Sequence, residues 1–511
     1  MVMSEDSFLY MIDSMVKTCK WFALQALLFF LMPYVWDYEY SASTLVLILV
    51  CTMLYALYWN FVSTSKQVRL LYLPYLAYII IGVVVYFVTD DWCTSLWKVI
   101  LLPLYGAVCF VGVKLLKRGV RKLRKRFRWG RGMAYTSLAL FFILLKASSV
   151  AWMRTEAKED ECADILERRD YLLGKLITSP QRVVDQMPSI VGAQFQGEWA
   201  LYSCSMLSAA LVNISTAYPD TREENLRSME QLIEIVLSPE LRRYDAMRWG
   251  EDPLESLDGG NSHISYLSHL AWMICDYKRA GGDDRYDELL ASLCATMNRR
   301  ILRCEAMNLP TYPGELIYVP DMLVAIVALK QYADLTGGTY RSTVVRWVSR
   351  AQREWIDAKT GVLVSFLTEN GKQVEGLPVK GSYSALNCYY LTLVNEAFAR
   401  KQYEMVKGLF WKDGLVPGLK EYHDRWRPIG MDIDAGPILL ELSPSGTAFF
   451  AGPAFYFDDT KVENAILRTA ETAGHTMVMG NKRHYLLANV ALVGEAIMLA
   501  MRTHGYLSYT W

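Results

Sequence analysis

Apolar residues are distributed in two different patterns along the 511 residues of the chain. Up to about residue 155, long apolar segments follow one another with short polar connections between them. From residue 156 onward, apolar positions recur at helical spacing, and polar loops separate the helical stretches. The sequence therefore predicts a membrane domain at 1–155 and a helical domain at 156–511.

The first domain contains five apolar segments, which predict about five transmembrane helices. A helix needs about 20 apolar residues to span the hydrocarbon core of a bilayer. The first segment is the shortest and contains Pro33. The segments are Trp21–Trp36, Thr44–Phe61, Leu70–Val88, Leu96–Val113 and Tyr135–Trp152.

The charges between these segments predict their orientation. Ten Lys or Arg residues lie between Lys114 and Arg131, and such a loop stays on the cytoplasmic side. Loops Asp37–Ser43 and Thr89–Ser95 carry acids and no basic residue. We expect a cytoplasmic N-terminus and an extracytoplasmic second domain, periplasmic or on the cell surface, anchored in the cytoplasmic membrane.

The basic run also has the composition of a nucleic-acid patch. Because it lies between two apolar segments, topology and contact with anionic lipid headgroups explain it more simply. The formal net charge of the whole chain is zero, so no global field favours nucleic acid. The lipid bilayer is therefore an expected partner, and nucleic acid is not.

Two kinds of helix alternate in the second domain. One kind is apolar nearly all round and rich in small residues, which is typical of buried helices; the other is amphipathic, which is typical of outer helices. We predict an all-α fold, an (α/α)6 toroid of six helical hairpins, with one small β-hairpin at Val362–Val379 that turns at Asn370 and Gly371. An open solenoid is the alternative, but no repeat of fixed period is visible. The predicted helices are Glu156–Leu176, Gly197–Ala217, Arg222–Leu237, His263–Ala280, Asp284–Arg303, Pro320–Leu335, Tyr340–Asp357, Ser382–Arg400, Gln402–Trp411, Pro437–Phe457, Lys461–Gly474 and His484–Arg502.

Long loops that enter the predicted inner helices carry the candidate chemistry. Helical connections are normally two to eight residues, so the long loops at 238–262, 304–319 and 412–436 mark one rim of the ring as the working face. Crowded carboxylates in an aromatic-walled pocket shift each other's pKa values, so that one serves as acid and another as base. The alternative is that these acids cap helices or pair with arginines. The candidates in or beside these loops are Trp249, Asp252, Glu255, Asp258, Tyr312, Glu315, Tyr318, Asp321, Trp426, Asp432 and Asp434.

The sequence predicts no metal site and no cofactor. Ten cysteines are spread without C-x-x-C spacing, and no His, Cys and Asp arrangement has convincing metal-ligand spacing. Cysteines on apolar helical stretches are usually small core residues.

Several motifs between about Gln181 and Glu471 resemble those of the linalool dehydratase/isomerase family. They include W-x-E-D-P-L-E before Y-L-S-H-L, then Y-P-G-E-L-I-Y-V-P-D, W-I-D-A-K-T-G-V-L-V-S-F and D-I-D-A-G-P. The resemblance implies an (α/α)6 barrel. It also implies that His269 corresponds to the family's catalytic helix histidine and Tyr202 to an active-site tyrosine.

The chain departs from this family at two positions. Two cysteines of the terpene enzyme correspond here to Tyr312 and Asp321. This difference argues against thiol-assisted chemistry on linalool, whereas a tyrosine and an aspartate suit proton transfer to oxygen.

The leading hypothesis is a membrane-anchored enzyme for acid–base elimination, hydration or isomerisation of a hydroxylated substrate. His269, Glu315 and Asp321 are the expected proton carriers, Tyr312 orients, and the remaining candidates bind a small-molecule or glycan substrate. A glycan hydrolase or lyase is one alternative, because toroids carry many carbohydrate-active sites. A non-catalytic glycan- or lipid-binding protein of the cell envelope is another. Similarity of fold alone decides none of these.

Overall fold

The computed structural model describes residues 157–187, 194–432, 435–489 and 491–507, together with scattered positions between 118 and 155. Ser148–Trp511 forms one compact unit. The first four predicted spans and most of the fifth lie outside the described residues. Their number and orientation, and the domain boundary at 155, therefore stay predictions.

The described part of Ser148–Trp511 is built mainly of α-helices, which alternate between an outer and an inner position. Their bounds are α1 Glu161–Leu176, α2 Pro180–Asp185, α3 Gln194–Ala217, α4 Arg222–Leu237, α5 Pro239–Trp249, α6 Ile264–Arg279, α7 Asp287–Arg303, α8 Val319–Leu335, α9 Arg341–Glu354, α10 Gly381–Thr392, α11 Glu396–Phe410, α12 Pro444–Tyr456, α13 Thr460–Ala473 and α14 Leu492–Thr503.

The inner helices close a ring. Helices α3, α6, α8, α10, α12 and α14 pack each against the next, and α14 packs back against α3. These are the apolar helices of the sequence pattern, and α10, for example, is buried along its whole length. A helix without a polar face has to be covered on all sides. The predicted six-hairpin ring is therefore present in the described residues.

The outer helices are amphipathic and cover the ring. Helices α1, α4, α7, α9, α11 and α13 each pack against at least one inner helix. Helix α9 shows the pattern clearly, because Val344, Trp347, Val348 and Ala351 recur at helical spacing and are buried. Its basic side chains lie on the other face.

Buried ion pairs join the first and last hairpins. Arg168 of α1 lies 3.3 Å from Asp164 and 2.9 Å from Glu495 of α14. Arg502 of α14 lies 2.6 Å from Asp164. Burial alone would raise the pKa of Asp164, but Arg502 and Arg168 hold it well below its usual range. These pairs hold the first and last hairpins of the ring together.

The β-structure differs from the prediction of one hairpin. The described residues contain four two-stranded antiparallel sheets, and each of them lies in or beside a loop that leads into an inner helix. The predicted turn at Gly371 is present. The strand before this turn, however, pairs mainly with the loop that leads into α8, where Ile317 lies opposite Leu367. The strands are β1 Ile317–Tyr318, β2 Phe366–Leu367, β3 Trp411–Lys412, β4 Gly418–Leu419, β5 Ile429–Asp432, β6 Gly436–Leu439, β7 Thr476–Met479 and β8 Lys482–Tyr485.

Several predicted helix bounds are wrong. Helix α10 ends at Thr392 and α11 begins at Glu396, because the Asn395 side chain accepts a hydrogen bond from the Phe398 amide and caps a new helix. Helices α12 and α14 begin later than predicted, because strands β6 and β8 precede them.

Two short helices lie in segments that the sequence predicted to be loops. Helix α5 follows Ser238, whose side chain accepts from the Leu241 amide, and begins at Pro239. Both residues are ordinary helix-start signals. Helix α2 likewise begins at a proline that follows a serine, Pro180 after Ser179, but the Ser179 side chain makes no capping hydrogen bond.

One helix of the described residues, Phe195–Ala217, is long and apolar enough to cross a membrane. It belongs to α3, and most of it is buried inside the ring. Its hydropathy is that of an inner helix of the ring.

Candidate active site

The centre of the candidate site is a contact between two inner helices. The Tyr202 hydroxyl on α3 donates a hydrogen bond to Asp321 Oδ1 in the first turn of α8, at 3.0 Å. Thr311 Oγ1 donates to the other carboxylate oxygen at 2.5 Å. Burial raises the pKa of Tyr202 well above its usual value, and Asp321 raises it further. The two hydroxyl groups thus fix the Asp321 carboxyl, and Tyr202 keeps its proton.

His269 lies beside this pair, on α6. Its ring centroid is 4.3 Å from that of Tyr202, and its side chain is fully buried. Burial lowers the pKa of His269 to about 3. The imidazole is therefore neutral at physiological pH and available for hydrogen bonding to an uncharged group.

Ser205 determines which nitrogen of His269 carries the proton. The Ser205 hydroxyl lies 2.8 Å from His269 Nδ1 and also donates to the Tyr202 carbonyl oxygen at 3.1 Å. A hydroxyl has one proton, so both bonds form together only if Nδ1–H donates to Ser205 Oγ. His269 Nε2 is then an acceptor. It is buried and has no protein partner among the described residues.

Glu198 and Tyr312 complete what we call the axial cluster, which consists of Glu198, Tyr202, His269, Tyr312 and Asp321. Glu198 precedes Tyr202 by one helical turn of α3. Burial raises the pKa of Tyr312 well above its usual value, and Glu198 and Asp321 raise it further. Glu198 and Asp321 both also act on Tyr202. The cluster therefore holds two carboxyl groups and two tyrosines around one histidine.

Glu315 lies at the mouth of the site. Its exposed carboxylate pairs with Arg248 at 3.3 Å. The Arg248 guanidinium lies over the Tyr312 ring, 4.1 Å from the centroid. The Glu315 carboxylate thus contacts Arg248, which lies over Tyr312, and the predicted role of Glu315 as a proton carrier stays a prediction.

Tyr318 belongs to an aromatic group at the rim. Its ring centroid is 5.0 Å from that of Phe366 and 6.1 Å from that of Tyr383. Lys380 Nζ lies 5.5 Å from the Tyr383 centroid and 2.8 Å from Asp432. The predicted residues Tyr318 and Asp432 are therefore near each other, with Lys380 between them.

Glu421 lies next to this group and is fully buried. It accepts from the Ser382 amide at 3.1 Å and from the Ser382 hydroxyl at 2.9 Å. Burial raises the pKa of Glu421 to about 7, and Asp432 contributes in the same direction.

The loop predicted at 238–262 contains Trp249 and the acids Asp252, Glu255 and Asp258. Asp252 pairs with Arg242 at 2.6 Å and accepts from the Leu254 amide at 2.9 Å. Glu255 and Asp258 are exposed. Trp249 is half-buried, with its ring centroid 5.4 Å from that of His263. Asp252 is thus one of the predicted acids that pair with an arginine and cap a turn, as the alternative interpretation proposed.

The two remaining candidates are Trp426 and Asp434. Trp426 is 80% exposed at the surface. Asp434 lies outside the described residues, so its predicted role is untested. The substrate-binding roles predicted for the other rim residues are also untested.

Three further polar residues continue from the axial cluster toward the inside of the ring. Trp272 of α6 lies between His269 and Tyr390 of α10, with ring centroids 6.1 Å and 5.7 Å away. Asn387 precedes Tyr390 by three residues and so lies on the same side of α10. Trp272 Nε1, Tyr390 Oη and both polar atoms of the Asn387 amide are buried without a protein partner among the described residues. We call Trp272, Asn387 and Tyr390 the inner subsite.

Six residues of the site are absent from the candidates predicted from the sequence: Glu198, Trp272, Asn387, Tyr390, Lys380 and Glu421. A signal existed for Glu198 and Asn387, which are polar residues within otherwise apolar inner helices. Lys380 and Glu421 meet through tertiary contacts of two loops, which no local pattern encodes.

Among the described residues, no three His, Cys, Asp or Glu side chains lie in an arrangement that could hold a metal ion. The axial cluster itself supplies hydroxyl, carboxyl and imidazole groups.

No family model and no curated protein matches the chain. A glycoside hydrolase of family 105 from C. acetobutylicum ATCC 824 is similar in structure, with a TM-score of 0.42 and 11% identity over 60% of this chain and 93% of that chain. A GH76 alpha-mannanase from Bacteroides thetaiotaomicron has a TM-score of 0.36 and 10% identity over 61% of this chain and 87% of that chain. These TM-scores and identities are low. The ring is therefore inferred from the packing of the helices in this chain. The resemblance to the linalool dehydratase/isomerase family rests on sequence motifs alone.

Proposed function

We propose that the protein is an enzyme that moves protons on a hydroxylated small molecule bound inside the ring. The contact between Tyr202 and Asp321 carries this proposal, because it places a proton donor and a carboxylate together at the mouth end of buried helices. A purely structural pair would not need the unpartnered His269 Nε2 beside it. Acid–base elimination, hydration or isomerisation is the reaction class that these groups support best.

Each group has a role in this reaction. His269 Nε2 accepts a hydrogen bond from a substrate hydroxyl and orients it, since burial keeps the imidazole neutral. Asp321 takes or returns a proton, and the Tyr202 hydroxyl transfers one between Asp321 and the substrate oxygen. Positioned acid–base groups of this kind typically accelerate a reaction by about 10² to 10⁴.

Glycan hydrolysis is the second candidate. It is favoured by the presence of two carboxyl groups, Glu198 and Asp321, around the same two tyrosines. A pair of carboxyl groups flanking the scissile bond is the general requirement of glycoside hydrolysis. We also propose that the site lies outside the cytoplasm, which rests on the loop charges of the first domain alone.

Isotope labelling separates the two candidates. The full-length protein in detergent is incubated with small-molecule and oligosaccharide extracts in D2O and, separately, in H2¹⁸O, and the products are analysed by mass spectrometry. Hydrolysis splits a compound in two and adds ¹⁸O without placing deuterium on carbon. Elimination yields an unsaturated product, and hydration places deuterium on carbon. If an extract treated with native protein has the same composition as an extract treated with heat-inactivated protein, both candidates are contradicted.

A further inference from the structure

The inner subsite contains four buried polar side-chain atoms that have no protein partner among the described residues. Trp272 and Asn387 are 1% exposed, and Tyr390 is fully buried. Buried polar groups are nearly always hydrogen-bonded, because removing them from water without a partner destabilises the fold. Four such atoms on two facing helices are a feature that requires an explanation.

The atoms differ in what they offer. The Trp272 indole nitrogen is a donor only, and the Tyr390 hydroxyl is both donor and acceptor. The Asn387 amide has two donor hydrogens and an acceptor oxygen. Together they provide mixed donors and acceptors without a charge. An alcohol group both donates and accepts, so alcohols can pair with every one of these atoms. A carboxylate or phosphate leaves the Asn387 oxygen unpaired, an ammonium group leaves the Trp272 N–H unpaired, and a hydrocarbon leaves all four atoms unpaired.

The subsite is deeper in the ring than Asp321. Tyr383 of α10 packs against Tyr318 at the start of α8. Tyr390 lies seven residues beyond Tyr383, whereas Asp321 lies three residues beyond Tyr318, a difference of about 6 Å at the rise of an α-helix. Beyond it the ring is filled by aromatic packing. The His504 ring lies 4.6 Å from Tyr389 and 5.2 Å from Tyr456, and His504 Nε2 lies 2.7 Å from Thr392 Oγ1.

We propose that Trp272, Asn387 and Tyr390 bind the hydroxyl groups of a polyhydroxylated substrate. The terminal unit of this substrate enters the ring first. The side of that unit that faces the mouth of the ring reacts at Asp321. This inference rests on the proposed function, because it takes the axial cluster as the place of reaction. Since the ring is closed beyond the subsite, the enzyme acts on a single polyol or on the end of a longer molecule. An apolar terpene alcohol does not fit such a subsite, because it would leave the polar atoms unpaired.

Ligand binding tests this proposal independently of turnover. Saturation-transfer NMR titrations use the full-length protein with myo-inositol and D-glucose as polyol probes, and cyclohexanol and linalool as apolar alcohols. We expect saturable binding of at least one polyol and weaker binding of both apolar alcohols. Tighter binding of the apolar alcohols, or no saturable binding of either polyol, overturns the proposal.

Two variants locate the binding. Asn387→Leu and Tyr390→Phe remove unpaired polar atoms with little change in shape, and each should weaken polyol binding by about tenfold. Neither should lower the melting temperature, because replacing an unpartnered buried polar group is neutral or stabilising. Tyr218→Phe, at the opposite end of the ring, is the matched control. Unchanged polyol binding in both variants contradicts the proposal. The melting curve of each variant confirms that it is folded.

Asp321→Asn distinguishes failure of this inference from failure of the proposed function. If Asp321→Asn abolishes conversion while no polyol binds, the reaction site stands and the inference about the substrate is wrong. If polyols bind and Asp321→Asn converts substrate as fast as wild type, the proposed function is wrong and the subsite stands.

Discussion

Tyr202 and Asp321 are separated by 119 residues in the chain, and a hydrogen bond of 3.0 Å joins them across the helical ring. Asp321 lies in the first turn of α8, and Tyr202 lies about two turns after the start of α3. The closure of six hairpins into a ring thus brings residues that are distant in the chain into contact. The proposed reaction depends on it.

Removing the Tyr202 hydroxyl should affect activity much more than stability. We expect Tyr202→Phe to lower the conversion rate by about 10² to 10⁴ and the free energy of unfolding by only about 1 kcal/mol. Tyr218→Phe is the control, since that hydroxyl lies 3.3 Å from the Tyr506 hydroxyl at the far end of the ring. A Tyr202→Phe protein that converts substrate within twofold of wild type would show that this hydroxyl takes no part in catalysis.

His269 should make the protein less stable in acid. Its pKa is lowered from 6.5 to about 3 by burial, so below pH 6.5 the unfolded chain binds a proton that the folded chain does not. The stability contributed by the neutral form is therefore lost as the pH falls from 6.5 toward 3. His269→Gln should reduce the loss between pH 7 and 4.5 by up to about 3 kcal/mol. The measurement is chemical denaturation of both proteins at each pH, and parallel curves would contradict a lowered pKa.

Glu421 should have the opposite effect. Its pKa is raised from 4.5 to about 7, so the folded chain holds the proton more tightly, and stability is lost as the pH rises from 4.5 to 7. Glu421→Gln, which resembles the protonated form, should be more stable than wild type at pH 8 by up to about 3 kcal/mol, and similar at pH 4.5. The exposed Glu369→Gln change is the control and should follow wild type at both values. A Glu421→Gln protein less stable than wild type at pH 8 would refute the raised pKa.

Breaking the buried ion pairs where the ring closes should be costly. Arg168→Met leaves Glu495 without its guanidinium partner at 2.9 Å, and the loss of one member of a buried pair typically costs about 3–5 kcal/mol. Arg227→Met is the control, because Arg227 and Glu223 are both largely exposed; it should cost less than about 0.5 kcal/mol. Equal melting temperatures for the two variants would mean that these pairs do not hold the ring closed.

The sequence predicted the ring well because its signal is periodic. Inner helices are apolar all round and outer helices are amphipathic, and this difference is visible without any tertiary information. The predicted helix bounds were wrong where a single side chain determines where a helix begins. Asn395, for example, caps the start of α11 within a segment that was predicted to be one continuous helix. Strand β1 and strands β3 to β8 were missed because two-stranded sheets at loop ends depend on partners that local pattern does not reveal.

The candidate site was predicted only in part, for a related reason. Loop length and acidity led to Asp252, Glu255 and Asp258, which the structure places in capping, ion-paired or exposed positions. Asp321, Tyr312, Tyr202 and His269 do lie together, and the last two were predicted from the family resemblance. Asn387 and Tyr390 needed the closed ring, because their significance lies in being buried without partners.

The most direct test of the central claim compares Asp321→Asn with wild type on the compounds that wild type converts. Asp220→Asn makes the same chemical change at an exposed position at the other end of the ring and serves as control. Untargeted mass spectrometry of treated extracts measures the consumption of each compound over time. The account predicts that wild type and Asp220→Asn consume at least one hydroxylated compound that Asp321→Asn leaves unchanged while remaining folded. Consumption of the same compounds at the same rate by Asp321→Asn would contradict it.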